Sequence, residues 1–213
     1  MKGVMFDNFH SYLDFGLLLS TKTIGSPSAK TESINIPGAD GVLDLTEYFG
    51  QVNYKNRKLS FEFKTIDPMS EFLNVFSAVQ NALHGKKMKI ILDDDPYFYY
   101  VGRVNVNEWK SDGRVGTIVI ECDCEPYKYK LNKTIITNSI ENHAIITYSN
   151  LRKAVVPTIK TDAGVTIVFG NVTKVLQTAG EYVIPEITFR EGENSITYDG
   201  TATVTVEYQE GGL

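Results

Sequence analysis

The sequence is poor in the residues that most often bind metals or carry catalysis. Its 213 residues include two cysteines, three histidines and one tryptophan. Cys122 and Cys124 offer two thiol ligands, but no second Cys pair and no His-x-x-x-His partner completes a zinc site. Two positions apart on a strand, they make a poor disulfide, which favours buried thiols in a reducing cytoplasm. We therefore predict no metal and no cofactor.

Catalytic motifs are also missing. There is no G-x-S-x-G, no G-x-G-x-x-G and no P-loop, and His10, His84 and His143 stand far apart without a neighbouring Ser or Cys signature. His84, next to Gly85, is read as a residue at a helix C-terminus, where a positive charge suits the dipole. The chain is therefore predicted not to be an enzyme, with a hydrolase kept as a third alternative.

Neither an excess of basic residues nor a long apolar run is present. The net charge is −5, shared as −3 over residues 1–128 and −2 over residues 129–213. Phosphate binding depends on clustered Lys and Arg, so tight nucleic-acid binding is not expected. No stretch approaches the ~18 apolar residues of a membrane helix. Because Asp7 interrupts the first apolar run, we expect no signal peptide.

What the sequence does contain is a period of two, which predicts β-strands. In KLSFEFK the apolar residues are Leu59, Phe61 and Phe63, and GTIVIECDC alternates in the same way. The stretch MKIILDDDPYFYYVGRVNV places two strand-like runs around residues 93–96, where Asp and Pro favour a turn. It is therefore predicted to be a hairpin.

One segment has helical spacing instead. The region DPMSEFLNVFSAVQNALHG predicts one amphipathic helix over about residues 68–84, packed on a sheet. Asp67 is the expected N-cap, Pro68 the first helical residue and Gly85 the stop. The residues predicted to face the core are Phe72, Val75, Phe76, Val79, Ala82 and Leu83.

The pattern of the sequence changes after EPYKYK. From about Leu131 onward, short runs rich in Val, Ile, Thr and Tyr alternate with turn signals such as DAG, FGN, TAGE, REGEN and YDG. This spacing predicts a small antiparallel β-sandwich. We place a domain boundary near Tyr129, giving an α+β domain at 1–129 and a β domain at 130–213. The fold class is mainly β.

Two acidic stretches raise the question of a metal site. Asp40, Asp44 and Glu47 lie in IPGADGVLDLTEYFG, but they lack the register of an EF-hand loop, and Pro-Gly and Asp-Gly dipeptides favour turns. The three consecutive acids at 93–95 point in different directions on a strand or turn. A solvated hairpin turn is therefore favoured over an ion site. Both stretches are interpreted as turns.

The order of motifs along the chain resembles a known family. HSYLDFGLLL, ESINIPGADGVLDLTEYFG, YKNRKLSFEF, a helix ending LHGKK, LDDDPYFYYVGRV and IECDCEPYKY look like the N-terminal domain of the distal tail proteins of long-tailed, non-contractile bacteriophages. VVPTIKTDAGVTIVFG and EYVIPEITFREGENSITYDGTATVTVEYQEGGL are similar to the C-terminal domain of that family. The resemblance spans essentially the whole chain.

This resemblance implies a structural role. Family members form a hexameric ring that joins the tail tube to the tail-tip or baseplate proteins. It implies an N-terminal domain like a tube subunit, a β-sandwich or barrel with one helix, and a galectin-like C-terminal β-sandwich. The implied partners are further copies of the chain, the tail tube protein, a tail-tip or tail-spike-associated protein and the tape measure protein. The implied location is the virion tail tip, after assembly in the host cytoplasm.

In such a ring, the stretch from Ile36 to Leu45 is the predicted assembly loop, since Gly-rich backbone allows close approach between neighbours. Arg57 is the predicted partner of Asp44 or Asp40. A loop folded back on its own domain remains the alternative. The predicted interface residues are Ile36, Gly38, Asp40, Gly41, Asp44 and Arg57.

A carbohydrate-binding module is the alternative function, because galectin-like sandwiches can hold sugars. Such a site needs exposed aromatic rings for stacking. The only tryptophan, Trp109, lies in the first domain. Tyr148, Tyr182, Tyr198 and Tyr208 of the second domain are explicable as strand residues.

Overall fold

A computed structural model of the chain describes residues 2–48, 50–65, 71–111 and 115–213. The chain divides into two compact units, Met1–Lys128 (with Leu213) and Tyr129–Gly212. Antiparallel strands make up most of both units, and the described residues contain one α-helix. The predicted mainly β fold is therefore confirmed. None of the described helical residues forms a segment long and apolar enough to cross a membrane.

The described residues of the first unit form nine strands and the helix. They are β1 (Val4–Phe6), β2 (Phe9–His10), β3 (Leu17–Ile24), β4 (Ser33–Ile34), β5 (Leu43–Asp44), β6 (Arg57–Thr65), α1 (Phe72–Leu83), β7 (Lys87–Leu92), β8 (Asp95–Ser111) and β9 (Gly116–Cys124). The main sheet has the order β2-β1-β7-β8-β9-β6-β3 with antiparallel pairing throughout. Strands β4 and β5 form a separate two-stranded sheet.

The core of the first unit follows from the alternation in its strands. Leu59, Phe61 and Phe63 of β6 are fully buried, as are Ile118 and Ile120 of β9, which lie opposite them in register. The polar residues between them take the other face, because successive side chains of a strand point to opposite sides. The predicted strands and their inward faces are confirmed.

Helix α1 covers part of this core. It occupies Phe72–Leu83, inside the predicted span of 68–84, and Gly85 follows it with its N–H bonded to the carbonyl of Val104 at 2.8 Å. Asp67 and Pro68, the predicted start, lie outside the described residues. The side chains expected to face the core do so: Phe72, Val79 and Leu83 are buried, and Val75, Phe76 and Ala82 are half-buried against the same cluster.

The second unit is built on a long two-stranded ribbon. Strand β10 (Lys128–Lys130) contains the division between the units. The strands that follow are β11 (Thr134–Asn150), β12 (Thr158–Thr161), β13 (Val165–Phe169), β14 (Val172–Leu176), β15 (Gly180–Val183), β16 (Gly192–Tyr208) and β17 (Gly211–Gly212). β11 and β16 pair along their whole lengths, and β16 also pairs with β12 and β13 to give the order β14-β13-β16-β12-β15.

The prediction of short strands only is wrong for this ribbon. The YDG motif lies inside β16 instead of ending a strand, and Gly200 faces Asn142 of β11 in register. Both residues have positive φ, 135° and 67°, so the ribbon bends there without losing its pairing. The bend explains why a turn signal stands in the middle of a strand.

The two halves of the ribbon share one core. Tyr198 before the bend and Val204 after it belong to the same fully buried cluster. The unit contains no helix, so strands of its own sheet must cover this apolar face. The second unit is therefore a small antiparallel β-sandwich made by folding one sheet over itself.

Candidate assembly site

A two-stranded ribbon extends beyond the main sheet at the end of β3 and the beginning of β6. We call residues 25–56, apart from Phe49, the arm. The N–H of Gly25 donates to the carbonyl of Lys58 at 2.8 Å, and Lys30 and Lys55 make further cross-ribbon hydrogen bonds to Asn53 and Ser28, both 2.8 Å. The β4–β5 pair closes the ribbon near its tip.

The tip of the arm is shaped by glycines. Gly38 and Gly41 have φ values of 85° and 80°, in the left-handed region that side chains with a Cβ rarely adopt. A Cβ built at either position meets no other atom within 4 Å. Glycine is therefore favoured at both positions by the positive φ of the backbone, and not by steric crowding within the same chain.

The arm exposes apolar side chains. Every residue from 30 to 44 is exposed. Val42 keeps 59% of its surface accessible and Tyr48 keeps 75%, and Ile34, Ile36 and Leu43 are each about half exposed. A two-stranded ribbon is only marginally stable in water. An apolar surface on such a ribbon is typical of a segment that becomes buried against another surface.

The acids of the arm do not form an ion site. The carboxylate of Asp44 accepts a hydrogen bond from the N–H of Thr46 at 2.9 Å, and hydrogen bonding from Thr46 holds the pKa of Asp44 below its usual value. Asp40 is exposed at the tip. In the described ranges, no group of three or more His, Cys, Asp or Glu side chains is placed to hold a metal ion.

Arg57 lies apart from these acids. It is 6% exposed, and its guanidinium carbon stands 5.5 Å from the ring centroid of Tyr100. Its Nε is buried without a hydrogen-bond partner in the described structure. Within one chain, the structure does not bring Arg57 to Asp40 or Asp44. Its burial leaves little of the guanidinium exposed to donate hydrogen bonds to an acid of a neighbouring copy.

The hairpin with three consecutive acids is confirmed, with a turn at 93–94 between β7 and β8. Asp93 ties this turn to the N-terminal strand. Its Oδ2 accepts the N–H of Gly3 at 2.6 Å and lies 3.1 Å from Nε2 of His10. Nδ1 of His10 accepts the N–H groups of Tyr12 and Leu13, which leaves Nε2 as the donor to Asp93. The arrangement is structural.

The other two carboxylates of the turn are also paired, which differs from the predicted solvated turn. Asp94 forms an ion pair with Lys22 of β3, and the hydrogen bond from Lys22 lowers the pKa of Asp94. Asp95 accepts from Nζ of Lys128 at 2.7 Å. The three acids point in different directions, as predicted, and each holds a different part of the first unit.

The predicted buried thiols are confirmed. Cys122 and Cys124 are free and buried on β9. Burial raises the pKa of the Cys122 thiol far above its usual value and that of Cys124 to about 12. Both thiols are therefore protonated at neutral pH and are unsuited to nucleophilic attack or metal binding.

His84 has a different role from the one predicted. It is the residue that follows α1, but its Nδ1 accepts the N–H of Val106 at 3.1 Å. An acceptor nitrogen carries no proton, so this ring nitrogen fixes the adjoining strand β8 by hydrogen bonding. The helix end receives its cation instead from Lys86, whose Nζ donates to the carbonyls of Asn81 and Ala82 at 3.1 and 2.6 Å.

The aromatic residues weighed for a sugar site do not form a stacking platform. Tyr148 and Tyr198 are fully buried and their hydroxyls lie 2.9 Å apart. Tyr208 is also buried, and its hydroxyl donates to the carbonyl of Ser149 at 2.5 Å. Trp109 is half-buried with its ring centroid 6.3 Å from that of Phe76. These rings are used by the two cores.

The sequence analysis placed Ile36 among the predicted interface residues and Val42 within the predicted assembly loop, but it did not single out the exposed apolar side chains as a group. Ile34 and Tyr48 lie outside that loop. One signal was available: residues 31–54 contain four acids and no Lys or Arg. Apolar residues set among glycines and acids, without any lysine to keep an edge soluble, indicate a surface that another chain covers.

Searches against protein-family profiles and against curated proteins give no match. Two solved structures show only a remote likeness: a de novo designed double-stranded β-helix (12% identity, 37% of this chain and 99% of that chain, TM-score 0.26) and a conserved protein of unknown function from Pseudomonas aeruginosa (11% identity, 90% and 100%, TM-score 0.29). Scores this low do not define a shared fold.

A third solved structure matches over nearly the full length of both chains. It is the SPP1 Dit protein, described as a paradigm of the hub adsorption apparatus in phages that infect Gram-positive bacteria. The match has a TM-score of 0.68 at 13% identity and covers 98% of this chain and 99% of that chain. Both units, in their order, therefore have the fold of a phage Dit protein.

Proposed function

We propose that this chain is a structural protein at the distal end of a phage tail. The observation that supports it most strongly is the fold shared with the SPP1 Dit protein over 98% of the chain. The resemblance of sequence motifs to distal tail proteins points to the same role independently. At 13% identity neither the ring nor its partners follow from the fold alone, so they belong to the proposal.

In this proposal, six copies form a closed ring that joins the tail tube to the tail-tip or host-adsorption proteins. A cyclic ring uses one heterologous contact repeatedly, so each copy needs two different complementary surfaces. The exposed arm supplies one of them. The tube-like first unit forms the ring, and the second unit is a galectin-like sandwich. The tail tube protein, the tail-tip protein and the tape measure protein are the proposed neighbours.

The role proposed is mechanical, without a chemical step. The most conspicuous carboxylates are engaged in structural contacts, and the thiols are buried and protonated. The tyrosines of the second unit contribute to its core, so nothing in their placement favours the carbohydrate-binding alternative. No cofactor is proposed.

Purified tails from cells that carry the gene provide the test. Antibodies raised against the chain and coupled to gold should label one end of the tail tube in electron micrographs. Image averaging of the labelled layer should show sixfold symmetry. A chain that is absent from purified tails would contradict the tail role, and a labelled layer of another symmetry would contradict the hexamer alone.

A further inference from the structure

We infer that the acidic arm of one copy docks on a cationic row on the outer sheet face of a second copy. The inference rests on the proposed assembly of several copies and identifies its contact. It replaces the buried Arg57 as the partner of the arm acids with three exposed cations. These are Lys58, Lys87 and Arg103.

The cationic row is defined by strand register. Lys58 of β6 lies opposite Asp123 of β9, Asp123 lies opposite Arg103 of β8, and Arg103 lies opposite Lys87 of β7. Residues directly opposite in a sheet point to the same face, so three cations and one carboxylate follow one line across four strands. All four residues are exposed. A shallow cleft of about 190 Å³ opens beside Lys87, Arg103 and Asp123.

The positive charge of this row is only partly neutralised. Lys87 pairs with Glu125 at 2.8 Å. Arg103 donates to the carbonyl of Gly85 at 2.5 Å and has no carboxylate partner among the described residues. Together with Glu125, the row holds three cationic side chains and two carboxylates, a net charge of +1, in a chain whose total is −5.

The arm has the complementary charge. Its residues 31–54 carry four acids and no base, a net charge of −4, and Lys30 and Lys55 near the base of the arm bring the whole arm to −2. Its acids alternate with the exposed apolar side chains, so docking would bury Val42 and Leu43 while the acids meet the cations. Charged groups of opposite sign would select the register of this contact, and the apolar side chains would supply buried area.

The occupant is a second copy because the arm does not cover the row of its own chain. Residues 30–44 of the arm are all exposed, and the four residues of the row on the same unit are exposed as well. Two unlike, complementary surfaces on one chain give a head-to-tail contact, and repeated head-to-tail contacts close into a ring. The arm and the row thus satisfy the requirement for a heterologous interface.

Charge reversal provides the test. Four full-length proteins are compared by sedimentation velocity up to millimolar concentration: wild type, Asp40→Lys with Glu47→Lys, Lys87→Glu with Arg103→Glu, and the combination of all four changes. Among the described residues, the side chains of Asp40 and Glu47 take part in no hydrogen bond or ion pair. Each reversed pair should weaken association by about tenfold or more, and the combination should restore most of it.

A matched control carries the same charge change elsewhere. Glu141→Lys with Glu193→Lys alters two exposed acids of the second unit and should leave association unchanged. Association of the wild type should also weaken between ionic strengths of about 0.01 M and about 1 M, where the screening length falls from ~30 to ~3 Å. If the combined variant associates again, the loss in each reversed pair is due to charge. Local misfolding caused by one pair of substitutions would not be repaired by a second pair.

Three results would overturn the docking: a wild type that stays monomeric at millimolar concentration, reversals without effect, or a combination that fails to restore association. The tail role is judged separately by gold labelling. Rings that form equally well in both reversal variants would exclude the arm contact and leave the tail role intact. If the chain is absent from purified tails but its association still responds to the charge reversals, the tail role would be excluded and the arm contact would stand.

Discussion

The buried hydroxyl pair of the second unit offers a quantitative test of its core. Tyr148 and Tyr198 are fully buried, and their hydroxyl oxygens lie 2.9 Å apart. Burial raises the pKa of both phenols, so both remain neutral donors and acceptors. Tyr198→Phe keeps the ring and leaves the hydroxyl of Tyr148 buried without its partner. The free energy of unfolding should fall by about 1–3 kcal/mol, the usual cost of an unsatisfied buried polar group.

The double substitution should cost less than the sum of the single ones. Tyr148→Phe alone strands the other hydroxyl and should cost a similar ~1–3 kcal/mol. When both hydroxyls are removed, no polar group is left unpaired, and apolar replacement of both partners is close to neutral. We expect Tyr148→Phe with Tyr198→Phe to cost at most about 1 kcal/mol, which gives a coupling energy of at least ~1 kcal/mol.

Hydrogen exchange read by mass spectrometry suits this measurement, because peptides from β11 and β16 report on the second unit within the full chain. Tyr182→Phe is the control, since the hydroxyl of Tyr182 lies near the surface and donates to the carbonyl of Thr178 at 2.8 Å. It should change exchange in these strands by less than either buried substitution. Additive effects of the two buried substitutions would refute the inference that each hydroxyl is the other's necessary partner.

Three further predictions concern the first unit. Gly41→Val forces a β-branched residue into a positive φ at a position with open space around it, so we expect little change in melting temperature but loss of ring assembly. If the melting temperature and ring assembly are reduced together, the arm contributes to folding of the unit instead of to assembly. Gly102→Ala places a Cβ against Sγ of Cys124 and the backbone of Asp123, so it should destabilise the unit by ~1–3 kcal/mol, measured by denaturant titration of the single tryptophan's fluorescence; an unchanged midpoint would contradict it. Asp94→Asn removes the ion pair with Lys22. In the wild type, the hydrogen bond from Lys22 lowers the pKa of Asp94, so the pair stabilises the folded protein at pH values above the unfolded pKa of about 4. This stabilisation is lost as the pH falls through the lower pKa of the folded state. Because both side chains are about 30% exposed, the loss at pH 7 should be under ~1 kcal/mol and should vanish at acidic pH; a loss that persists there would refute the ion pair as its cause.

The parts of the fold that could be predicted are those that depend on local pattern. Alternation placed Leu59, Phe61 and Phe63 on one face of a strand, and helical spacing placed Phe72 and Leu83 on the core side of α1. These patterns depend on the period of each element, which the sequence carries directly. The resemblance to distal tail proteins added the order of the elements, and the shared fold agrees with it.

The parts that could not be predicted depend on pairing between distant strands. YDG has the composition of a turn, yet Gly200 lies within β16 because Asn142 faces it and both adopt positive φ. Local composition does not reveal such a partner. The pairing of Arg57 with Asp40 or Asp44 of a neighbouring copy stays a prediction, but the burial of Arg57 beside Tyr100 of another strand is likewise not visible in local composition. The row from Lys58 to Lys87 exists only through register across four strands.

The second unit should fold when it is expressed alone as residues 129–213. Its buried cluster draws on strands β11–β16, and β16 pairs with three other strands of the unit. Domains of about 55–65 residues can already sustain a core, and this segment is longer. Glu210 is buried but accepts hydrogen bonds from Lys130 and Thr134, which both lie within the fragment. The buried carboxylate of Glu210 therefore keeps its partners in the isolated fragment.

We expect a dispersed amide spectrum and a cooperative thermal transition from this fragment. Cutting the chain at Leu131 removes Lys130, so residues 131–213 provide a matched comparison in which the buried carboxylate of Glu210 loses one partner. That shorter fragment should melt at a lower temperature, because a buried carboxylate without its cation is costly. Equal melting temperatures would show that Lys130 adds nothing to Glu210. A collapsed, undispersed spectrum from both fragments would show that the sandwich depends on the first unit for its fold, and that the buried cluster, although contiguous, is too small to hold it together.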